Sequence, residues 1–185
     1  PPLAVIAPTD RSKVAYKLQT HPGGGLRVTC GKLALDVNSS FSYPSVGWRV
    51  LGEKADSAGR EAAGKYYRLD RTVKQLSDHI AISDRLTNLT GQDLHISVRH
   101  MIQTSGLSGA EVYLRGQKSR IMEGYEKGGD NPTVFLRLGE DGLGIVAEDD
   151  ALRVQCAQVA TRQPAEAGLA DNYLMLEPRA TYELR

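Results

Sequence analysis

Leu94-His95-Ile96-Ser97-Val98-Arg99-His100-Met101-Ile102-Gln103 is the stretch whose reading decides the fold. Leu94, Ile96, Val98, His100 and Ile102 fall on one face of an extended chain, and Asp93, His95, Ser97, Arg99 and Gln103 on the other, because successive strand side chains point to opposite sides. That division suits an antiparallel sheet with one packed and one wet face. The same period-two signal recurs on both sides of this stretch. Upstream, Leu26, Val28 and Cys30 lead through Gly31 into Leu33, Leu35 and Val37, which predicts a hairpin with a tight glycine turn. Residues 72–85 set Ile80 and Ile82 between polar neighbours, and Thr87-Asn88-Leu89-Thr90-Gly91-Gln92-Asp93 reads as turn material.

Downstream, Val134, Leu136 and Leu138 alternate with Thr133, Phe135 and Arg137, and Gly139-Glu140-Asp141-Gly142 predicts a turn before Leu143, Ile145 and Ala147. Glu148-Asp149-Asp150 reads as the next turn and Leu152, Val154 and Cys156 as the next inward row, with the last strands at 173–176 and 180–184. Short strands at this spacing predict an all-β, antiparallel β-sandwich with little helix. Only residues 56–66 have a helix-favouring composition, and Gly59 and Gly64 would each cost about 1 kcal/mol relative to alanine there, so a long loop reads equally well. The most linker-like stretch, 161–170, is short enough for an internal loop, so residues 1–185 are expected to form one domain. The start Pro1-Pro2-Leu3 and an end at 181–185 that reads as an unfinished strand suggest excision from a larger protein, whose other domains would be partners.

At 41% hydrophobic and 24% charged residues the composition is that of a globular protein. A net charge of +1 gives no footprint for nucleic acid. No apolar run approaches the ~18 residues that would predict a membrane helix, and the N-terminus lacks signal-peptide features. Cys30 and Cys156 each end an apolar series and are expected to point inward, either as buried free thiols or as a bridge in an oxidising compartment.

Candidate sites follow from residue chemistry. Sugar-binding surfaces present aromatic rings with polar groups around them. The single Trp48 lies in Phe41-Ser42-Tyr43-Pro44-Ser45-Val46-Gly47-Trp48-Arg49, so Trp48, Tyr43 and Arg49 are the first candidates. Tyr66 and Tyr67 are adjacent, which sends one inward and one outward; Tyr67 is carried as a candidate, as is Tyr113, which with Tyr125 flanks the basic, glycine-containing stretch 115–129. His100, on the apolar row, reads first as a hydrogen-bonded core residue, whereas His95 and Arg99 share the wet face. Glu140-Asp141 and Glu148-Asp149-Asp150 are separated by a strand of roughly 15 to 20 Å, too far for a glycosidase pair at ~9.5 Å or less. No cofactor is expected; calcium is the ion that Asp149, Asp150 or Asp130 would suit, without EF-hand spacing. Asn38-Ser39-Ser40 and Asn88-Leu89-Thr90 match glycosylation acceptors.

The run Ile80-Ala81-Ile82-Ser83-Asp84-Arg85-Leu86-Thr87-Asn88-Leu89-Thr90-Gly91-Gln92-Asp93-Leu94-His95-Ile96-Ser97-Val98-Arg99-His100 resembles the strand, Asp-containing bend, Asn-Thr turn and strand of β-sandwich domains in bacterial carbohydrate-active proteins, including the supersandwich of galactose-mutarotase-like domains. Residues 168–182 look like the closing hairpin of such domains. The likeness covers about a third of the chain and implies a jelly-roll or supersandwich-like fold with sugar handling; a fold-level analogy does not by itself assign function. A mutarotase-like acid and base would here be His100 with Glu148 or Asp149. The expectation is therefore a non-catalytic carbohydrate-binding domain of an extracytoplasmic or secreted bacterial polysaccharide-processing protein, with a polysaccharide or oligosaccharide as partner. The alternatives are a mutarotase-like or lyase-like enzyme fragment and a structural interdomain sandwich.

Overall fold

A computed structural model of the chain describes residues 15–21, 24–43, 47–50, 61–63, 66–119, 124–126, 132–162 and 165–185. Along them run β1 (Tyr16–Thr20), β2 (Leu26–Cys30), β3 (Leu33–Tyr43), β4 (Gly47–Val50), β5 (Glu61–Ala63), β6 (Tyr67–Gln75), β7 (Ile80–Asn88), β8 (Leu94–Gln103), β9 (Glu111–Leu114), β10 (Gln117–Lys118), β11 (Gly124–Glu126), β12 (Thr133–Leu138), β13 (Asp141–Val146), α1 (Asp150–Gln155), β14 (Ala157–Arg162), β15 (Ala165–Leu176) and β16 (Thr181–Leu184). Strand makes up 66% and helix 5%. The eight-stranded sheet has the order β1-β2-β3-β8-β15-β14-β11, with β4 also on β3; two four-stranded sheets run β10-β9-β12-β13 and β16-β7-β6-β5. All the strand pairs are antiparallel. Among the described residues no helix is long and apolar enough to cross a membrane.

One apolar cluster joins the three sheets. Leu26, Leu35, Ile96 and Ile102 come from the large sheet, Leu69, Leu86 and Leu184 from β6, β7 and β16, and Val112, Leu114, Val134 and Leu136 from β9 and β12. Burying each such side chain contributes roughly 1.5–3 kcal/mol, and their period-two spacing fixes each register, since a one-residue slip would turn every one of them to solvent. The two small sheets thus cover the inner face of the large one, a sandwich-like arrangement.

The turns expected from glycine are in place. Cys30 faces Leu33 across Gly31-Lys32, with Gly31 at φ +56°, a conformation that costs glycine nothing sterically. Leu138 faces Asp141, so the second hairpin closes through Gly139-Glu140 alone, and the ladder includes the Asp141 and Gly142 that the sequence assigned to the turn. Asn88 is wholly buried: its Nδ2 donates to the carbonyls of Gln92, Leu176 and Glu177, and its Oδ1 accepts from the Thr90 N–H and hydroxyl. The Asn-Thr turn is a structural clamp between β7 and the end of β15, and the Asn88 amide is closed to glycosylation.

Three expectations are corrected. Residues 150–155 form α1 rather than a strand. Asp149 caps it by accepting the Leu152 N–H at 2.9 Å, Asp150 sits in its first turn and Arg153 in its last, placements that favour a helix. Leu152 and Cys156, four apart, share a face in a helix as they would in a strand, whereas Val154 swings out to solvent. Residues 161–162 and 165–170 are strand rather than loop, since β14 pairs with β15 in register from Ala157↔Ala170 to Arg162↔Ala165; 163–164 lie outside the described residues. Of the helix-favouring stretch 56–66, residues 61–63 are strand β5, and 56–60 and 64–65 lie outside the described residues. The outer row of β8 is also drier than alternation implies, since Met101 is buried with Val159 and Ala170.

Candidate functional site

The β3–β4 hairpin sets the first candidates on adjoining rungs: Tyr43 opposite Gly47, Trp48 opposite Ser42 and Arg49 opposite Phe41. The side chains of Tyr43, Trp48, Arg49 and Tyr125 lie outside the described residues, as does Asp130. Tyr67 is overturned as a ligand contact. It is 2% exposed and packs its ring 6.4 Å from that of Phe41, which leaves Tyr66 as the less buried of the two.

Tyr113 stands on the outer face of the β10-β9-β12-β13 sheet, directly opposite Phe135 in register. The two rings lie 6.3 Å apart at 52°, within the range of a favourable aromatic pair. Phe135 is 42% exposed, and glycine explains how it lies. A Cβ on Gly142 would fall 2.4 Å from Phe135 Cζ, and one on Gly144, opposite Phe135 in register, 3.4 Å from its Cδ2. The ring therefore occupies the space that side chains at these two β13 positions would fill, while much of it stays open to water. Around the pair, the Tyr113 hydroxyl donates to Glu111 Oε2 at 2.9 Å, Lys118 bonds the other oxygen of Glu111, and Arg137 stands opposite Glu111 in register. The Lys118 and Tyr113 hydrogen bonds pull the Glu111 carboxyl below its ordinary pKa. Phe135 was not singled out from sequence, although its place in the polar row of β12 was the available signal.

A second group lies inside. Arg71 and Asp84, both almost fully buried, form a two-pronged ion pair, Nε to Oδ1 at 2.6 Å and Nη2 to Oδ2 at 2.5 Å. Arg71 also donates to the Gly24 carbonyl at 3.0 Å and to Ser39 Oγ at 2.8 Å, and Ser39 Oγ lies 2.9 Å from His100 Nδ1. Arg71 can only donate, so Ser39 Oγ accepts from its Nη2, which leaves the hydroxyl hydrogen and a second lone pair for the contact with Nδ1. Burial pushes the His100 pKa down to about 4, Asp84 opposes this and Arg71 adds to it, so the ring is neutral at pH 7. His100 is half-buried and hydrogen-bonded, and it lines a cavity of about 360 Å³ shared with Glu148. The cavity walls are mainly aliphatic, including Leu26, Val28, Ile80, Ile82, Leu143 and Ile145.

Asp149 is engaged as the α1 cap and accepts the Tyr182 hydroxyl at 2.8 Å. Burial works against its ionised form, but the hydrogen bonds from Leu152, Tyr182 and Ala151 outweigh that and lower its pKa. Asp150 is exposed, with Arg153 at 3.6 Å. Among the described residues no three His, Cys, Asp or Glu side chains gather as a metal site. Cys30 and Cys156 are free thiols, and burial with the nearby Asp171 pushes Cys156 up to about 11, well away from thiolate reactivity at neutral pH. Comparison with protein-family models, with curated proteins and with solved structures finds no match.

Proposed function

We propose that the chain is a non-catalytic carbohydrate-binding domain of an extracytoplasmic bacterial protein that handles polysaccharide, and that its glycan-binding face is the outer surface of the β10-β9-β12-β13 sheet. The observation that carries this reading is the exposed Phe135 ring, which lies over Gly142 and Gly144, beside the half-buried Tyr113 ring and bordered by Glu111, Lys118 and Arg137. A flat aromatic face suits the apolar side of a pyranose ring, and fixed charged groups at its rim suit hydroxyls. Sheet strands hold such a surface more rigidly than loops do. The β3–β4 hairpin with Tyr43, Trp48 and Arg49 is a second aromatic group whose contribution the same experiment resolves.

The test is affinity electrophoresis against a panel of soluble polysaccharides with the parent chain, Tyr113→Ala, Phe135→Ala and Trp48→Ala. Retardation by at least one glycan, weakened tenfold or more (about 1.4 kcal/mol) in Tyr113→Ala and Phe135→Ala, supports the reading. No retardation by any glycan, or retardation that both substitutions leave intact, refutes it; loss in Trp48→Ala alone moves the site to the hairpin.

A mutarotase-like reading is favoured by one observation, that His100 and Glu148 line the same cavity. The aliphatic walls and the Ser39-bound imidazole speak for a packing role instead. Sugar anomerisation that disappears in His100→Ala would reverse this ranking, and its absence from the parent chain would remove the enzyme reading.

A further inference from the structure

We infer, on the footing of the glycan-binding face proposed above, that the sugar it takes is a uronate, with its ring against Phe135 and its carboxylate held by Arg137. The outer surface of the sheet presents two neighbouring rungs. One runs Lys118, Tyr113, Phe135, Gly144 and the other Glu111, Arg137, Gly142, and the strand rise sets them roughly 7 Å apart along β12. The Phe135 ring spans both. Its Cδ2 lies beside Gly144, and its Cζ occupies the place that a side chain on Gly142 would fill. The ring thus leans along β13 toward the rung of Arg137, where the residue opposite the arginine is glycine and has no side chain of its own.

The charges on these rungs do not cancel. Glu111 accepts from Lys118 at one carboxylate oxygen and from the Tyr113 hydroxyl at the other, and those bonds keep it ionised. Glu111 therefore offsets Lys118. Arg137 is exposed and, among the described residues, is in no ion pair; its Nε donates to the Gly139 carbonyl at 2.8 Å. Glu140, exposed in the adjoining turn, does not pair with it. Two cations against one anion leave the rungs with a single positive charge. The Nε bond leaves Nη1 and Nη2 for a ligand, a pair of donors whose spacing matches the two oxygens of a carboxylate. Arg137 stands between Glu111 on β9 and Gly142 on β13, so its open approach is from the β13 side, away from the Glu111 carboxylate and over the Phe135 ring. A neutral sugar offers that guanidinium only hydroxyls, whereas a uronate offers a charge-assisted bond roughly twice as strong.

The experiment is affinity electrophoresis with polygalacturonate, alginate and hyaluronan, each run beside its methyl ester, which keeps the sugar chain and removes the charge, and beside a panel of neutral polysaccharides. The parent chain, Arg137→Gln and Phe135→Ala are compared, with circular dichroism to show that each is folded. At least one acid is expected to retard the parent, its ester to bind tenfold or more weaker, Phe135→Ala to weaken the acid tenfold or more, and Arg137→Gln to bind the acid only as well as the parent binds the ester. Equal retardation by acid and ester, or retardation by neutral glycans alone that Phe135→Ala weakens, overturns the uronate inference and leaves the glycan-binding face standing. A preference for acid that Arg137→Gln leaves intact overturns it too, by placing the charge elsewhere. So does retardation by acid that Phe135→Ala leaves unchanged, the mark of charge attraction without a sugar contact. No retardation by any glycan, acidic or neutral, removes both readings.

Discussion

Removing one partner of the Arg71–Asp84 pair should destabilise the domain far more than removing both. Each side chain is about 2% exposed and neither has water as an alternative partner. In Asp84→Leu the guanidinium keeps the Gly24 carbonyl and Ser39 Oγ but loses both bonds to the carboxylate, leaving an uncompensated charge inside the core. In Arg71→Met the carboxylate is stranded, and Ser39 loses the donor that orients it toward His100. Breaking a buried pair from one side costs about 3–5 kcal/mol, whereas replacing both members with apolar groups of similar volume is often neutral or stabilising. Against a total stability of about 5–15 kcal/mol for a domain, a single loss of that size is severe. With a urea slope of roughly 2 kcal/mol/M, each single variant should lower the unfolding midpoint by about 1.5–2.5 M, and the double variant should recover most of it. Urea titration followed by circular dichroism measures all four proteins. Single losses below 1 kcal/mol, or a double variant as unstable as the sum of the two, would show that the pair is not an energetic unit.

Other expected outcomes concern separate parts of the fold. A Cβ at Gly168 would fall 1.9 Å from the His100 carbonyl oxygen, so Gly168→Ala should force β15 away from β8 and cost about 1–3 kcal/mol or more, read as a lower thermal midpoint. Gly142→Ala would put a Cβ 2.4 Å from Phe135 Cζ and 2.8 Å from the Leu136 carbonyl; with the ring lifted, glycan retardation should fall even in preparations that remain folded. Burial raises the Asp171 carboxyl above its usual pKa, and its Oδ2 has no hydrogen-bond partner among the described residues. A raised carboxyl pKa means stability that is present below the unfolded value and lost as pH rises through the folded one. Asp171→Asn should therefore be more stable than the parent at pH 7, with the advantage shrinking toward pH 4 in urea titrations. Asp149→Ala should cost about 0.5–2 kcal/mol at pH 7 through the lost α1 cap. Because the Asp149 pKa is lowered on folding, its stabilisation is full above the unfolded carboxylate value and disappears as pH falls through the folded one, so parent and variant should converge in acid.

Much of the fold was legible where alternation was clean and the turn contained glycine, as in β2–β3, β8 and β12–β13. It failed where small residues carry the packing. Ala167, Gly168 and Ala170 are buried because the β8 backbone comes so close, yet in sequence they read as loop. At α1 a four-residue spacing fitted both strand and helix, and the deciding cue was the capping carboxylate of Asp149. The buried ion pair was hidden because charged residues read as solvated, although parity marks both: Arg71 continues the inward row of Tyr67 and Leu69, and Asp84 precedes Leu86 and Asn88 on theirs. Phe135 carried the converse signal, an aromatic ring in an outward row. Tyr113 was recognised, but the glycines that flatten its neighbour act across strands, which a linear reading does not bring together.

The most direct test of the glycan-binding face is an NMR titration of the isotope-labelled chain with an oligosaccharide fragment of whichever polysaccharide retards it. Amide shifts concentrated at 111–114, 133–137 and 142–144, with saturation transferred from the Tyr113 and Phe135 rings to the sugar, are the predicted result. Shifts confined to the β3–β4 hairpin or the inter-sheet cavity, with that sheet unmoved, would contradict it.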